Sequence, residues 1–273
     1  MKNLVYIETF ERFGSGILFP CRYQDKNTCI VITNYHVIQD LDADGKNKKE
    51  DINLEFYDIF GKKVKKDFIN SVYVEYNSVC NNESDVAVLL VELDSNICIA
   101  SNFDDDIFWG EPNDDYVYST GYPNVLQDDD INRRLLIEGK IENTFPMMKK
   151  MGIYKISDNY HFYAEMSDRE LFEGFSGGPV YIQREGKKSL IGMNQSLCNI
   201  GDGSNPFKLA YFIRIRQIFE LLRDNGFILF EYEDGKIEID WIKGLKQQDE
   251  KNLDILVLGA SCIINTRNSK KEG

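Results

Sequence analysis

An all-β fold is what this sequence predicts, on three observations. From its start to about residue 212 the chain is a series of short β-branched and aromatic runs set between polar turns. These runs do not alternate with helical patterns, which argues against a parallel βαβ sheet. Only one stretch in the whole chain carries a clear helical stripe. Many short strands joined by turns close up as a barrel or a sandwich.

The elements follow in order. Gly16–Phe19 and Cys29–Thr33 are the first two candidate strands, followed beyond the Asp44-Gly45 turn by Ile52–Tyr57 and Phe68–Glu75. Val86–Leu93 is a nearly unbroken apolar run. The acidic stretch Asp104–Asp115 reads as a link between two β halves. Beyond it come Val117–Thr120, Leu135–Asn143, Phe162–Glu165, Pro179–Gln183 and Leu190–Asn194, separated by turn residues such as Tyr122-Pro123-Asn124, Glu185-Gly186 and Gly201-Asp202-Gly203.

Ile213–Arg223 is the helix. Ile215, Ile218, Phe219 and Leu222 recur at three- and four-residue spacing, and Asn225-Gly226 is a fitting stop. In FILFEYEDGKIEIDWI, Asp234-Gly235 between two alternating runs predicts a hairpin. A polar linker then leads to LDILVLGAS, read as one extra strand docking on the barrel or on a partner. That run, Asp254–Ser261, resembles the strand before a P-loop. The next residues, Cys262-Ile263-Ile264-Asn265, lack the required G-K-[ST], so nucleotide binding is not supported.

Composition narrows the function classes. With 273 residues, 42% of them hydrophobic, the chain can bury a sizeable core. A net charge of −13 opposes nucleic acid or an anionic membrane as the main partner. Glu8 interrupts the first apolar run, so no leader core forms, and no window approaches the roughly 18 apolar residues of a membrane span. A soluble cytoplasmic protein is the expectation, with Cys21, Cys29, Cys80, Cys98, Cys198 and Cys262 as reduced thiols. There is no Cys-x-x-Cys pair and no Cys/His cluster, so neither metal nor cofactor is expected.

Three motifs carry chemistry. Gly174-Phe175-Ser176-Gly177-Gly178-Pro179 is a glycine-rich turn around a serine. A nucleophilic serine needs such a turn, because its hydroxyl must stand exposed while backbone N–H groups converge nearby. The N–H groups of Gly174 and Ser176 are candidates for an oxyanion hole, where one donor is worth about 3 kcal/mol. Taken alone, the same residues also read as an ordinary turn. Thr33-Asn34-Tyr35-His36-Val37 sets one of only two histidines at the end of an apolar strand. Imidazole takes and returns a proton well near neutral pH, although a lone histidine there is commonly structural. Ser84-Asp85-Val86-Ala87-Val88-Leu89-Leu90 opens an apolar strand with an acid. That acid is either a strand-edge residue or the group that orients the imidazole.

Together these motifs resemble the trypsin-like serine peptidases. Gly14-Ser15-Gly16-Ile17-Leu18-Phe19 is similar to the family's first G-[ST]-G-x-[IL] strand, and Thr33–Val37 to the T-N-x-H-V box of its bacterial, HtrA-like members. Ser84–Leu90 resembles the D-[IV]-A-[LV]-[LI] strand, and Gly174–Pro179 the G-x-S-G-G-P turn. The order His, Asp, Ser is also the family's. The resemblance spans roughly residues 1–224. It implies two packed six-stranded antiparallel barrels, about 1–105 and 106–212, then a helix over 213–224. Residues 225–273 remain an extension of unassigned role, without an evident PDZ domain. It further implies a triad of His36, Asp85 and Ser176, an oxyanion hole at Gly174 and Ser176, and a substrate-lining segment that includes Asn194 and Gln195.

The pattern departs from the family at two places. Phe175 stands where trypsin-like zymogens carry the Asp that pairs with a freed N-terminus, so control by a partner or by loop ordering is expected instead. The resemblance puts the base of the family's specificity pocket at Glu170, with Glu173 close by, which implies cleavage after Arg or Lys. The substrate is expected to be a protein or peptide, and a larger bacterial assembly is a candidate setting. The competing expectation is a peptide-binding module on the same fold without turnover. Ser15, Ser196 and His161 receive no role.

Overall fold

A computed structural model describes residues 3–9, 12–23, 26–38, 52–67, 85–99, 103, 105–109, 116–123, 135–141, 161–166, 174–184, 186–200, 207–224, 226–231, 237–241, 253–258 and 261–266. In chain order the first strands are β1 (Leu4–Glu8), β2 (Phe13–Tyr23), β3 (Lys26–Thr33), the single turn α1 (Tyr35–Ile38), β4 (Asn53–Tyr57), β5 (Lys63–Asp67), β6 (Ala87–Glu92) and β7 (Asp106–Ile107). Then come β8 (Tyr116–Gly121), β9 (Leu135–Ile141), β10 (His161–Met166), β11 (Pro179–Arg184), β12 (Lys187–Ile200), β13 (Phe207–Arg214) and the helix α2 (Ile215–Asp224). The chain closes with β14 (Phe227–Glu231), β15 (Ile237–Trp241), β16 (Leu253–Leu258) and β17 (Ser261–Thr266).

The fold is all-β, as expected, in two antiparallel groups of six. The first runs β5–β4–β1–β2–β3–β6, and among the described residues no pairing joins its two ends. In the second the pairings run β8–β9–β10–β13–β12–β11 and return from β11 to β8. Strand β7 joins β12 from outside, in parallel.

The unbroken apolar runs have a physical cause, for β2, β3 and β6 are buried on both faces. Val31, Leu89 and Leu18 point into one core with Val5, Ile7, Leu54 and Phe56. Their neighbours Ile30, Ile32, Val88, Leu90, Ile17 and Phe19 point into another, shared with Met193, Ile213 and the helix. The apolar stripe of α2 closes this second core: Ile215, Ile218, Phe219 and Leu222 are buried, and Leu221 with them. Phe19 stacks on Phe103 at 4.3 Å and meets Phe219 edge-on at 5.7 Å. Burying each such ring is worth about 1.5–3 kcal/mol. Gly226, at φ +84°, donates to the Arg223 carbonyl and ends the helix where the sequence placed its stop.

The predicted hairpin forms as β14–β15, and β15 continues into the first sheet by pairing in parallel with β2 (Ile239 with Cys21). Beyond it β16 and β17 pair with each other as a second hairpin, so the run expected as one strand is half of a pair. The expected strand Phe68–Glu75 lies outside the described residues. Most of the acidic stretch does too, yet its described part is structural: Asp106–Ile107 pairs with β12 and Ile107 is buried, while Phe103 just before the stretch is fully buried and bridges to Ile237. Cys21, Cys29 and Cys98 carry free thiols. Among the described residues no helix is long and apolar enough to cross a membrane.

Candidate active site

The site lies where the first sheet meets the glycine-rich turn of the second. Its base is the pair His36 and Asp85. The carboxylate of Asp85 accepts from the backbone N–H of His36 through Oδ1 at 2.9 Å, and its Oδ2 lies 2.5 Å from His36 Nδ1. Holding a residue by main chain and ring at once fixes the direction of the imidazole, leaving Nε2 as its outward nitrogen. Asp85 is the more sheltered partner, with 17% of its side chain exposed against 39% for His36.

The residues before the histidine explain why that box has the sequence it has. Thr33 is buried and donates from Oγ1 to the Ser15 carbonyl at 2.7 Å. Asn34, also buried, donates from Nδ2 to the Asp85 carbonyl at 2.8 Å. Both polar side chains therefore tie the end of β3 to its neighbours, and α1 swings the histidine out. Arg12 adds a bond from its guanidinium to the His36 carbonyl at 2.6 Å.

Ser176 sits between β10 and β11 on a turn whose backbone only glycine tolerates. Gly174 and Gly177 hold φ of +92° and +85°. A Cβ on Gly174 would stand 2.1 Å from the Tyr122 carbonyl oxygen, and one on Gly177 2.0 Å from that of Ser15. The turn is laced by Gly178 N–H to the Phe175 carbonyl (2.8 Å), Gly177 N–H to the Asn194 carbonyl (2.9 Å) and Asn194 N–H to the Gly178 carbonyl (2.8 Å). The Ser176 hydroxyl donates to the Gln195 carbonyl at 3.0 Å; among the described residues no hydrogen bond joins it to His36.

The expected lining residues take different places. Asn194 is fully buried and exchanges hydrogen bonds with Ser119, at 2.8 and 2.6 Å, so its amide supports the turn from behind. Gln195 reaches the site with both ends: its carbonyl holds Ser176, and its Nε2 lies 3.4 Å from Asp85 Oδ2. Glu170 and Glu173 lie outside the described residues. Phe175 is fully buried in the second sheet's core with Val117, Val180 and Phe212. Apolar packing thus anchors the turn where zymogens of the resembled family use a charge. Ser15 is the residue that sequence reasoning passed over. It is fully buried, and its hydroxyl donates to the Gly174 carbonyl at 2.7 Å and accepts from Tyr122 N–H at 3.0 Å.

Such an arrangement can take a proton at His36, stabilise the resulting cation through Asp85, and present a serine hydroxyl on a constrained turn. Among the described residues no three His, Cys, Asp or Glu side chains gather as a metal site.

Comparison with known proteins gives one family match, to the trypsin-like peptidase domain, over residues 14–193. Among solved structures, an inactivated protease paralogue of the scabies mite, S-I1, superposes with a TM-score of 0.57 at 16% identity. The match covers 82% of this chain and 94% of that one. The crystal structure of Deg5 aligns with a TM-score of 0.49 at 20% identity, over 80% of this chain and 86% of that one. Curated protein sequences returned no match.

Proposed function

This chain belongs to the trypsin-like peptidase family, and on that premise we propose that it is a serine endopeptidase working through His36, Asp85 and Ser176. The observation that carries the reading is the two-point grip of one carboxylate on the histidine, ring and main chain together. In this reading the Ser176 hydroxyl leaves the Gln195 carbonyl, turns to His36 Nε2 and attacks the scissile carbonyl as the imidazole takes its proton. The tetrahedral oxyanion is held by the N–H groups of Gly174 and Ser176. Collapse expels the amine, which receives the proton from His36, and leaves an acyl-Ser176 ester. Water then attacks that ester with His36 again as base, releasing the acid and restoring the serine.

Buried Phe175 supports a turn set by packing and not by an ion pair with a freed N-terminus, which supports control by a partner. The carboxylates of Glu170 and Glu173 just before the turn support a preference for Arg or Lys. A second reading, a peptide-binding module without turnover, is favoured by one observation: the serine hydroxyl is bonded to Gln195 and not to His36.

Digestion of a mixed peptide library, read by mass spectrometry, separates these readings. Cleavage by the parent and none by Ser176→Ala is the expected result. Loss of the Arg or Lys preference in Glu170→Ala would follow from the pocket assignment. Binding without cleavage by the folded parent would establish the second reading in place of the first.

A further inference from the structure

We propose that the Ser15 side chain is a positioning residue that sets the oxyanion-binding backbone of Gly174; this rests on the peptidase reading above. The two residues are far apart in the chain and belong to opposite sheets. Ser15 lies within β2, with its side chain fully buried, and its hydroxyl spans two backbone groups of the second sheet's turns. It donates to the Gly174 carbonyl at 2.7 Å and accepts from Tyr122 N–H at 3.0 Å. Its main chain grips the same turn on the far side of the nucleophile, where Ser15 N–H donates to the Ser176 carbonyl at 2.7 Å. Its carbonyl is in turn held by Thr33 Oγ1.

The side chain's particular contribution follows from which group it holds. Gly174 sits at φ +92°, a conformation glycine leaves easily because no Cβ restricts it. Fixing its carbonyl fixes the peptide plane that joins it to Phe175, and so anchors the Gly174 Cα, to which the nitrogen of the candidate oxyanion N–H is bonded. The adjacent crowding agrees: the Tyr122 carbonyl lies where a Gly174 Cβ would be, so the turn is pressed against the same residue whose N–H Ser15 binds. An oxyanion donor must be preorganised, since it acts only once charge has formed. Losing the Ser15 hydroxyl should therefore weaken the transition state while leaving ground-state substrate binding in place.

The test compares the parent, Ser15→Ala and Ser15→Thr in two measurements. In the first, peptide cleavage kinetics, the expected result for Ser15→Ala is kcat lower by at least about 10-fold with KM within about twofold, the ceiling being the roughly 100- to 1,000-fold cost of losing one oxyanion donor outright. Ser15→Thr, which keeps the hydroxyl, should recover most of it. In the second, amide hydrogen exchange of fragments covering residues 174–178, Ser15→Ala should exchange faster than the parent while fragments from β3 and β6 do not. If the parent cleaves and Ser15→Ala matches it in kcat, the proposal is overturned and the peptidase reading stands. If the parent does not cleave, that reading fails, and the exchange measurement alone decides whether Ser15 orders the turn. Unchanged exchange over 174–178 in a folded Ser15→Ala protein would overturn the proposal in either case.

Discussion

Replacing Gly177 by Ala puts the constraint on the serine turn to a quantitative test, with Gly186→Ala as its control. Both glycines lie at nearly the same positive φ, +85° and +79°, so both substitutions carry the same intrinsic backbone cost, about 1–2 kcal/mol. They differ in surroundings. A Cβ on Gly186 meets nothing within 4 Å, whereas one on Gly177 stands 2.0 Å from the Ser15 carbonyl oxygen and 2.3 Å from Thr33 Oγ1. The Ser15 carbonyl is main chain inside β2 and cannot step aside. The turn must retreat, which stretches Ser15 N–H to Ser176 O and Gly177 N–H to Asn194 O, each worth about 1 kcal/mol. Gly177→Ala should thus cost about 3–5 kcal/mol in total, which lowers Tm by ~10 °C, against ~4 °C for Gly186→Ala. Thermal denaturation of the two variants beside the parent reads this directly. Equal melting of the two variants would refute the claim that the turn is packed hard against β2.

Other consequences can be checked singly. Asp85→Asn should leave the fold largely in place but lower cleavage about 10⁴-fold, because the amide cannot hold the same imidazole tautomer; steady-state kinetics measure this. Burial raises the Asp240 carboxyl above its usual range, and Arg22, whose Nε lies 3.5 Å from Asp240 Oδ1, partly opposes it. A raised folded pKa means the ionised form is disfavoured in the folded chain, a cost fully present above that pKa and gone below the ordinary Asp value. Asp240→Asn should therefore be more stable than the parent at neutral pH, the difference shrinking as urea titrations are taken to acid pH. A thiol reagent should modify exposed Cys98 well before Cys29, whose thiol is pushed up by burial and then by Cys21; mass mapping of the adducts would show the order.

The sequence disclosed those parts of the site whose chemistry demands particular residues in sequence neighbourhood. A serine between glycines, a histidine at a strand end and an acid opening an apolar strand were each readable. The structure brings His36 and Asp85 within hydrogen-bonding distance although 49 residues separate them. The paired apolar runs at β3 and β6 were readable for a similar reason, since strands buried on both faces leave no polar alternation. What stayed hidden depends on contacts between distant segments. Nothing in Gly14-Ser15-Gly16 shows that its serine meets a carbonyl 159 residues later. Asn194 looked like a cleft residue, and only the packing of β8 against β11 shows that Ser119 lies behind it. Strand β13 runs straight into α2 without a turn residue between them, so the helix's stripe masked it.

Mass-spectrometric location of a fluorophosphonate adduct on the parent protein decides whether Ser176 is an activated nucleophile. The reagent bonds stably only to a serine activated by a neighbouring base and an oxyanion site. A triad of His36, Asp85 and Ser176 gives one adduct, on Ser176, lost in His36→Ala and absent from Ser176→Ala. A folded parent that takes no label at Ser176, or takes it equally well without His36, would contradict it.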